Sequence, residues 1–248
     1  MDEEELFAEL EKADEVIQEQ PKQQEYKSYN RGGSYNKKPW PWEEEGFKPS
    51  KLDVNKLKKE GKTFSIAISA AADMTDDIIN KFTKISQALF KTGYTFRHCG
   101  DSASKVNNEI IAVEGSKVES HLPWKKFNEN IKNPVTFATT KESAALVAYY
   151  HRGFMKLPVG VKGILSAELF CALGKGLNNP LDLYIMYSPK GHTSFGTKES
   201  PVPFSELGNT SFPIRIANAA GIAIFNLGNE TAITDIIEFL KAKQGVNN

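Results

Sequence analysis

Two short loops carry the residue types that cradle phosphate. Cys99-Gly100-Asp101-Ser102-Ala103-Ser104-Lys105 follows a run ending at His98, and Gly208-Asn209-Thr210-Ser211 stands before a helical pattern with Pro213 in its first turn. Small and hydroxyl-bearing residues at a helix start leave backbone N–H groups pointing at whatever lies above them, which suits an anion. Asn209, Thr210 and Ser211 are all good caps, Pro213 is tolerated only early in a helix, and Gly221 stands where that helix must close. The next residues, Ile222-Ala223-Ile224-Phe225, read as a fully buried strand. Gly100, Asp101, Ser102, Gly208, Asn209, Thr210 and Ser211 are therefore the candidate lining of a nucleotide pocket at a sheet edge.

Groups for bond-breaking chemistry are sparse. Asp101 and Glu109 could form an acid–base pair, but two carboxylates at one helix start more commonly serve as cap and solvated face. Ser102 follows Gly100 but lacks the second glycine of a nucleophile elbow, and the chain holds no complete Gly-x-x-x-x-Gly-Lys-Ser/Thr phosphate motif, since Lys56 stands five residues before Gly61-Lys62-Thr63. His98, His121, His151 and His192 are scattered without ligand spacing, and Cys99 and Cys171 lie far apart. No catalytic residue, metal ligand or cofactor is expected, and the two cysteines fit a reducing compartment.

Polyanion binding is better provided for. Residues 21–50 are poor in aliphatic side chains, yet Tyr26, Tyr29, Tyr35, Trp40 and Trp42 alternate with Lys22, Lys27, Arg31, Lys37 and Lys38. Cations that follow phosphates, together with flat rings that stack on bases, are what sequence-tolerant binding of single strands requires. The same rings allow a second reading, in which Trp40, Trp42 and Phe47 dock on the folded domain as a strap while the Tyr-Arg-Gly-Gly end stays free. Further along, Arg97, Lys105, Lys125, Lys126 and Arg215 fall at or just after strand ends, where they could line one edge of a sheet. Residues 2–20 form an acidic amphipathic pattern with Leu6, Leu10, Ala13 and Ile17 on one side. That segment is a partner-binding or nucleic-acid-mimicking head, or a solvated terminus.

The elements that must position these loops alternate. Phe64–Ala70 reads as a central strand. A helix with Ile78, Ile79, Phe82, Ile85 and Leu89 on one stripe follows, capped by Asp73 or Thr75 and ending near Gly93. Tyr94–His98 and Lys117–Leu122 are the next strands, with a helix expected between Ser104 and Val113. Val54–Glu60 and Thr140–Gly174 have helical patterns, the latter broken around Pro158 and Gly160. Leu181–Tyr187 is another buried strand, and a last helix spans Thr231–Lys243. Such alternation implies right-handed crossovers, hence an α/β, Rossmann-like, mostly parallel sheet of about five strands with helices on both faces. The expected organisation is an acidic segment over 1–20, a flexible basic and aromatic arm over 21–50, and one folded domain over 51–248. Net charge is zero and 40% of residues are hydrophobic, which suits one such domain.

Five segments together, TGYTFRHCGDSASKVNNEI, HLPWKKFN, ILSAELFCALG, PLDLYIMYSPKG and GNTSFPIRIANAAGIAIFNLG, resemble in order and spacing the phage-encoded members of the DprA/LOG-like Rossmann superfamily. The resemblance covers roughly residues 63–243. Relatives carry Gly-Gly-Ala-x-Gly-Ala-Asp after the second strand, where this chain has one glycine, Gly100, and puts Lys105 at the acidic position. They carry Ala-Arg-Asn on the middle helix, against Ser166-Ala167-Glu168 here, and Gly-Gly-Thr-Gly where this chain has Gly208-Asn209-Thr210-Ser211. Fewer glycines mean a less close approach of backbone to phosphate.

The resemblance implies a binding protein rather than a catalyst, holding single-stranded DNA in phage replication, recombination or transcription. The alternatives are a nucleotide-sensing or nucleoside-monophosphate-cleaving domain, and a protein-interaction factor working through the acidic head. Expected partners are single-stranded nucleic acid and, through residues 1–20, a polymerase or recombination protein, with a homo-oligomer open. No run has the length of a membrane span, so the expected place is the cytoplasm, that of the host if the chain is phage-encoded.

Overall fold

Phe64–Ala70 carries Phe64, Ile66, Ile68 and Ala70 on one side of its alternation and the small Ser65, Ala67 and Ser69 on the other, so neither side bears a charge and the run suits the centre of a sheet. In the computed structural model, which describes residues 39–59, 64–70, 74–91, 93–100, 117–125, 127, 135–151, 153–197 and 200–245, it forms β1, Ser65–Ala70. Five further strands join it: β2 Thr95–His98, β3 Lys117–Leu122, β4 Val135–Phe137, β5 Leu183–Tyr187 and β6 Ala223–Asn226. The sheet has six strands in the order β4-β3-β2-β1-β5-β6, every pair parallel. The expected Rossmann-like α/β sheet is therefore present, with one strand more than the five anticipated. β6 is an edge strand whose first three residues are half-buried, rather than a fully buried one.

Alternation along the central strands sorts side chains between two helical layers. Ile66, Leu183 and Ile185 face Phe82, Ile85 and Leu89 of α1 (Asp76–Lys91) and Ile233, Ile236 and Leu240 of α6 (Ala232–Gly245). Ala67, Tyr184 and Met186 face the opposite layer, built from α2 (Lys141–Tyr150), α3 (Val159–Leu173) and α5 (Ser211–Ala220). Covering both faces is what an all-parallel sheet requires. Thr75 caps α1, its hydroxyl accepting from the Ile78 amide at 3.3 Å. Gly221, at φ 69°, closes α5 as its sequence position implies.

The pattern over Thr140–Gly174 resolves into two helices separated by a 3-10 turn at Phe154–Lys156. Gly160 lies inside α3 rather than breaking it. α3 is buried nearly all round, so its sequence lacks a polar stripe. Its Gly163 faces the Trp124 ring, and a Cβ there would come within 2.5 Å of the indole. Val54–Glu60 gives only a 3-10 turn, Val54–Lys56, instead of a longer helix.

Residues 39–59 lie across the α2 and α3 layer. Trp42 is buried, stacks on Trp40 at 5.2 Å between centroids, and meets the Phe154 ring edge-on at 5.8 Å. Phe47 stacks on Phe154 as well. The Ser50 amide donates to the Ala145 carbonyl and the Lys58 amide to that of Asn178. The docked reading thus describes the Trp end of the arm.

Candidate functional site

Because every strand is parallel, all six carboxyl ends share one edge. The chain leaves β1 toward β2, β3 and β4 on one side, while β5 and β6 extend the sheet on the other. That reversal opens a crevice between the ends of β1 and β5, the place where open α/β sheets take ligands. Around it stand Ser69 of β1, Cys99 and Gly100 beyond β2, Ser188–Gly191 beyond β5 and Asn226–Asn229 beyond β6.

Asn226 makes the β5–β6 wall rigid. Its side-chain oxygen accepts from the amides of Ser188 and Gly228, both at 3.0 Å, and its nitrogen donates to the Ser188 hydroxyl and the His192 carbonyl. A Cβ at Gly228 would overlap the Ser188 carbonyl, so glycine is needed for the two loops to touch. His192 in turn meets Glu206 at 2.8 Å. Sequence reading missed this clamp. Its only signal was an asparagine ending an apolar run before Leu-Gly.

On the β2 side, the Gly100 amide donates to Nδ1 of His98 at 3.1 Å, so Nδ1 is the acceptor and Nε2 carries the proton toward the Ser120 hydroxyl at 2.7 Å. Burial, with the neighbouring His121 adding to it, lowers the His98 pKa to about 4. With both nitrogens engaged and the ring neutral, His98 holds the Gly100 turn and is not placed as a base. Gly100, at φ 71°, has the left-handed backbone that glycine supplies.

Several sequence-based assignments are corrected here. Arg97 is 2% exposed, donating to Glu119 at 2.7 Å and to the Asn179 carbonyl at 2.8 Å, so it is an internal tie between β2, β3 and the chain before β5. The Glu119 carboxyl, beside His121 and Arg97, is held down at about 2. Trp42 belongs to the core rather than to a stacking surface, and Trp40 spends one ring face on it.

The Gly208–Ser211 loop is not a free helix start. α4 (Phe204–Leu207) leads through a left-handed Gly208, at φ 51°, and a 3-10 turn at Gly208–Thr210 into α5. Thr210 and Ser211 are buried, and the Thr210 hydroxyl donates back to the Leu207 carbonyl at 2.6 Å. The Ser211 amide donates to the Gly208 carbonyl, and the Thr210 side chain does not cap α5. Arg215, half-buried, lies over the Phe195 ring at 4.2 Å.

Lys125 is exposed just beyond β3. Tyr29, Arg31, Tyr35, Lys37, Lys38, Asp101, Ser102, Lys105 and Lys126 lie outside the described residues, as do the acidic head and the Ser104–Val113 helix. Among the described residues, no group of three His, Cys, Asp or Glu side chains is arranged to hold a metal ion, and no helix is long and apolar enough to cross a membrane. An open groove of about 520 Å³ lies beside the strap, lined by Trp42, Phe47, Phe154 and Met155. It includes none of the strand ends, so it is distinct from the crevice.

The fold defines an open, all-parallel, Rossmann-like α/β protein whose strand order reverses between β1 and β5. No family model, no curated protein and no solved structure matches the chain.

Proposed function

We propose that the protein is a non-catalytic binder of single-stranded DNA of the DprA/LOG-like class, acting in phage replication, recombination or transcription. In this reading the strand lies along the carboxyl edge and is held jointly by the sheet and the N-terminal arm. The observation that carries it is the Trp40–Trp124 contact, at 6.5 Å between ring centroids. Trp124 follows β3 at the carboxyl edge, next to exposed Lys125, and Trp40 is the last anchored ring before the residues that bear Tyr29, Arg31, Tyr35, Lys37 and Lys38. The cationic and aromatic arm is therefore joined to the domain at the edge that carries the crevice. The neutral, doubly engaged His98 supports binding without turnover.

A second reading, a free mononucleotide in the crevice, is favoured by the internal partners of Arg97 and Trp42. Their loss removes one cation and one ring from the surface available to a long strand.

Fluorescence anisotropy with single-stranded oligonucleotides, duplexes and mononucleotides separates the two. Joint binding by arm and edge, covering roughly 4 to 6 phosphates, gives a slope of log affinity against log salt of about −3 to −4. Changing Lys37, Lys38 and Lys125 to alanine flattens that slope, while Arg97→Met leaves it unchanged. Mononucleotides that bind as tightly as oligonucleotides, with no effect of the lysine changes, would replace the single-strand reading with the second one.

A further inference from the structure

Six large hydrophobic side chains are exposed among the described residues. Four of them, Tyr149, Met155, Val159 and Val161, fall between the end of α2 and the first turn of α3. Met155, 61% exposed, stands in the wall of the open groove of about 520 Å³ beside the strap, together with Trp42, Phe47 and Phe154. Single apolar residues on a surface are ordinary, but a cluster of them at a ring-lined groove marks a surface that another element covers. We propose that the cover is the chain's own acidic head, residues 2–20, docked as an amphipathic helix with Leu6, Leu10, Ala13 and Ile17 turned into the groove.

Spacing, charge and reach all favour this occupant. Leu6, Leu10, Ala13 and Ile17 recur at helical intervals and form one stripe about 16 Å long. So short a helix is marginal alone in water, and an apolar groove is what completes it. The head carries nine carboxylates against one lysine, Lys12. Lys156 lines the groove, and Lys48 stands between Phe47 and Pro49, which line it too; both lysines are exposed. Behind the rings, the buried Lys162 ammonium lies 5.2 Å from the centroids of Trp42 and Phe154. The one carboxylate among the lining residues, Glu44, is 3.3 Å from Lys141, which offsets its charge. Acids flanking the apolar stripe thus meet cations at the rim of the groove.

Reach decides between this head and other acidic helices. Trp42 of the strap forms part of the groove wall, and residues 21–38, at no more than about 3.6 Å each, span up to about 60 Å between head and strap. Tethering at that range sets an effective concentration on the order of millimolar. A second copy or a separate protein has to supply that concentration from solution. The docking goes beyond the single-strand reading and does not need it.

The test follows trypsin cleavage at Lys12, inside the head, in the full-length chain. Cleavage tracks the population of undocked head, so Leu10→Ser with Ile17→Ser, or Met155→Asp alone, is expected to speed it by about tenfold. Met155→Asp leaves the head's own sequence untouched, so its effect reports docking and not helix propensity. Because Met155 is exposed, the substituted chain is expected to keep its urea midpoint. Carbodiimide coupling is expected to join head carboxylates to Lys156 or Lys48, and to do so far less in the serine variant, which retains every carboxylate. In an equal mixture of isotopically light and heavy chains, the coupled peptides are expected to be of one isotope. Coupled peptides of mixed isotope would make a second copy the occupant and overturn docking within the chain. Equal cleavage at Lys12 in the wild-type chain and in Met155→Asp overturns the groove as the docking place, whatever the serine variant shows.

Discussion

The two faces of the sheet are filled by different chemistry. Under α1 and α6, the central strands meet hydrocarbon and rings: Ile66, Phe82, Ile85, Leu89, Phe96, Leu183 and Ile236 are all fully buried. Under α2, α3, α5 and the strap, apolar side chains share the interior with Arg97, His121, Lys162, Cys171 and the phenol of Tyr184. The first face supplies stability chiefly through area removed from water, and it also holds the buried His98, stacked on Phe96 at 5.8 Å. The second carries groups whose burial must be matched by partners, and it carries the strap that stands next to the proposed binding edge.

The sharpest way to break this comparison is to remove volume from the first face. Phe82 has no exposure and packs between the sheet and its own helix. Phe82→Ala is expected to cost about 3 to 5 kcal/mol, read as a fall in the urea midpoint, because the surrounding rings cannot close the space. That loss is expected to be nearly the same at pH 7.5 and pH 5. A strongly pH-dependent loss would mean that Phe82 is coupled to His98, which lies on the same face.

Acid is the corresponding probe of the buried polar groups around β2 and β3. Burial lowers the pKa of His98 to about 4 and lowers that of His121, while Glu119 is held at about 2 by the neighbouring His121 and Arg97. For all three the folded pKa lies below the unfolded one. Their stabilisation is therefore present at neutral pH and is lost on acidification. The histidine share falls away from about pH 6.5 toward pH 4, and the glutamate share from about pH 4.5 toward pH 2. His98 alone is expected to remove about 2 kcal/mol between pH 7.5 and pH 5. His121 packs edge-on against Phe170 at 5.7 Å and stands 3.7 Å from Glu119, beyond hydrogen-bonding distance. His121→Phe is expected to make the urea midpoint less sensitive to acid, and His98→Gln more clearly so. An unchanged acid response in both variants would place the titration elsewhere.

What the sequence disclosed and what it hid have a common physical cause. β1, β5 and α1 were legible because β1 and β5 are short runs dominated by apolar residues and α1 shows its stripe to one side only, while β3, Lys-Val-Glu-Ser-His-Leu, was read in spite of its polar residues. β4 was not, since three residues, Val-Thr-Phe, carry no periodicity and become a strand only by pairing with β3. The same limit applies to the site. Arg97 is a cation near a strand end, and only the register that sets it opposite Glu119 turns it inward. Asn209, Thr210 and Ser211 all have cap chemistry, yet a cap is defined by backbone conformation, and Thr210, at φ −76° and ψ −10°, is already helical where it enters α5. The crevice itself follows from strand order, a property no single segment contains.

The smallest expected effect tests the strap. Lys162 is 5% exposed, donates to the Met155 carbonyl at 3.2 Å, and places its ammonium 5.2 Å from the centroids of both Trp42 and Phe154. Among the described ion pairs none involves it. The charge thus trades its hydration for one carbonyl and two ring faces, worth about 0.5 to 2 kcal/mol each where water is excluded. Methionine has nearly the same length, and its sulfur also favours ring contacts. Lys162→Met forfeits the cation–π attraction and also the cost of burying an ammonium, and exchanges of this kind lie close to balance. The expected change is within about 1 kcal/mol, with tryptophan fluorescence and protease resistance around residue 39 retained. Lys162→Ala, which removes the stem as well, is expected to loosen the strap and expose the peptide before Trp40 to cleavage. Should Lys162→Met release the strap as fully as Lys162→Ala, the charge and not the packing is what fastens it, and the polar face holds its strap by electrostatics.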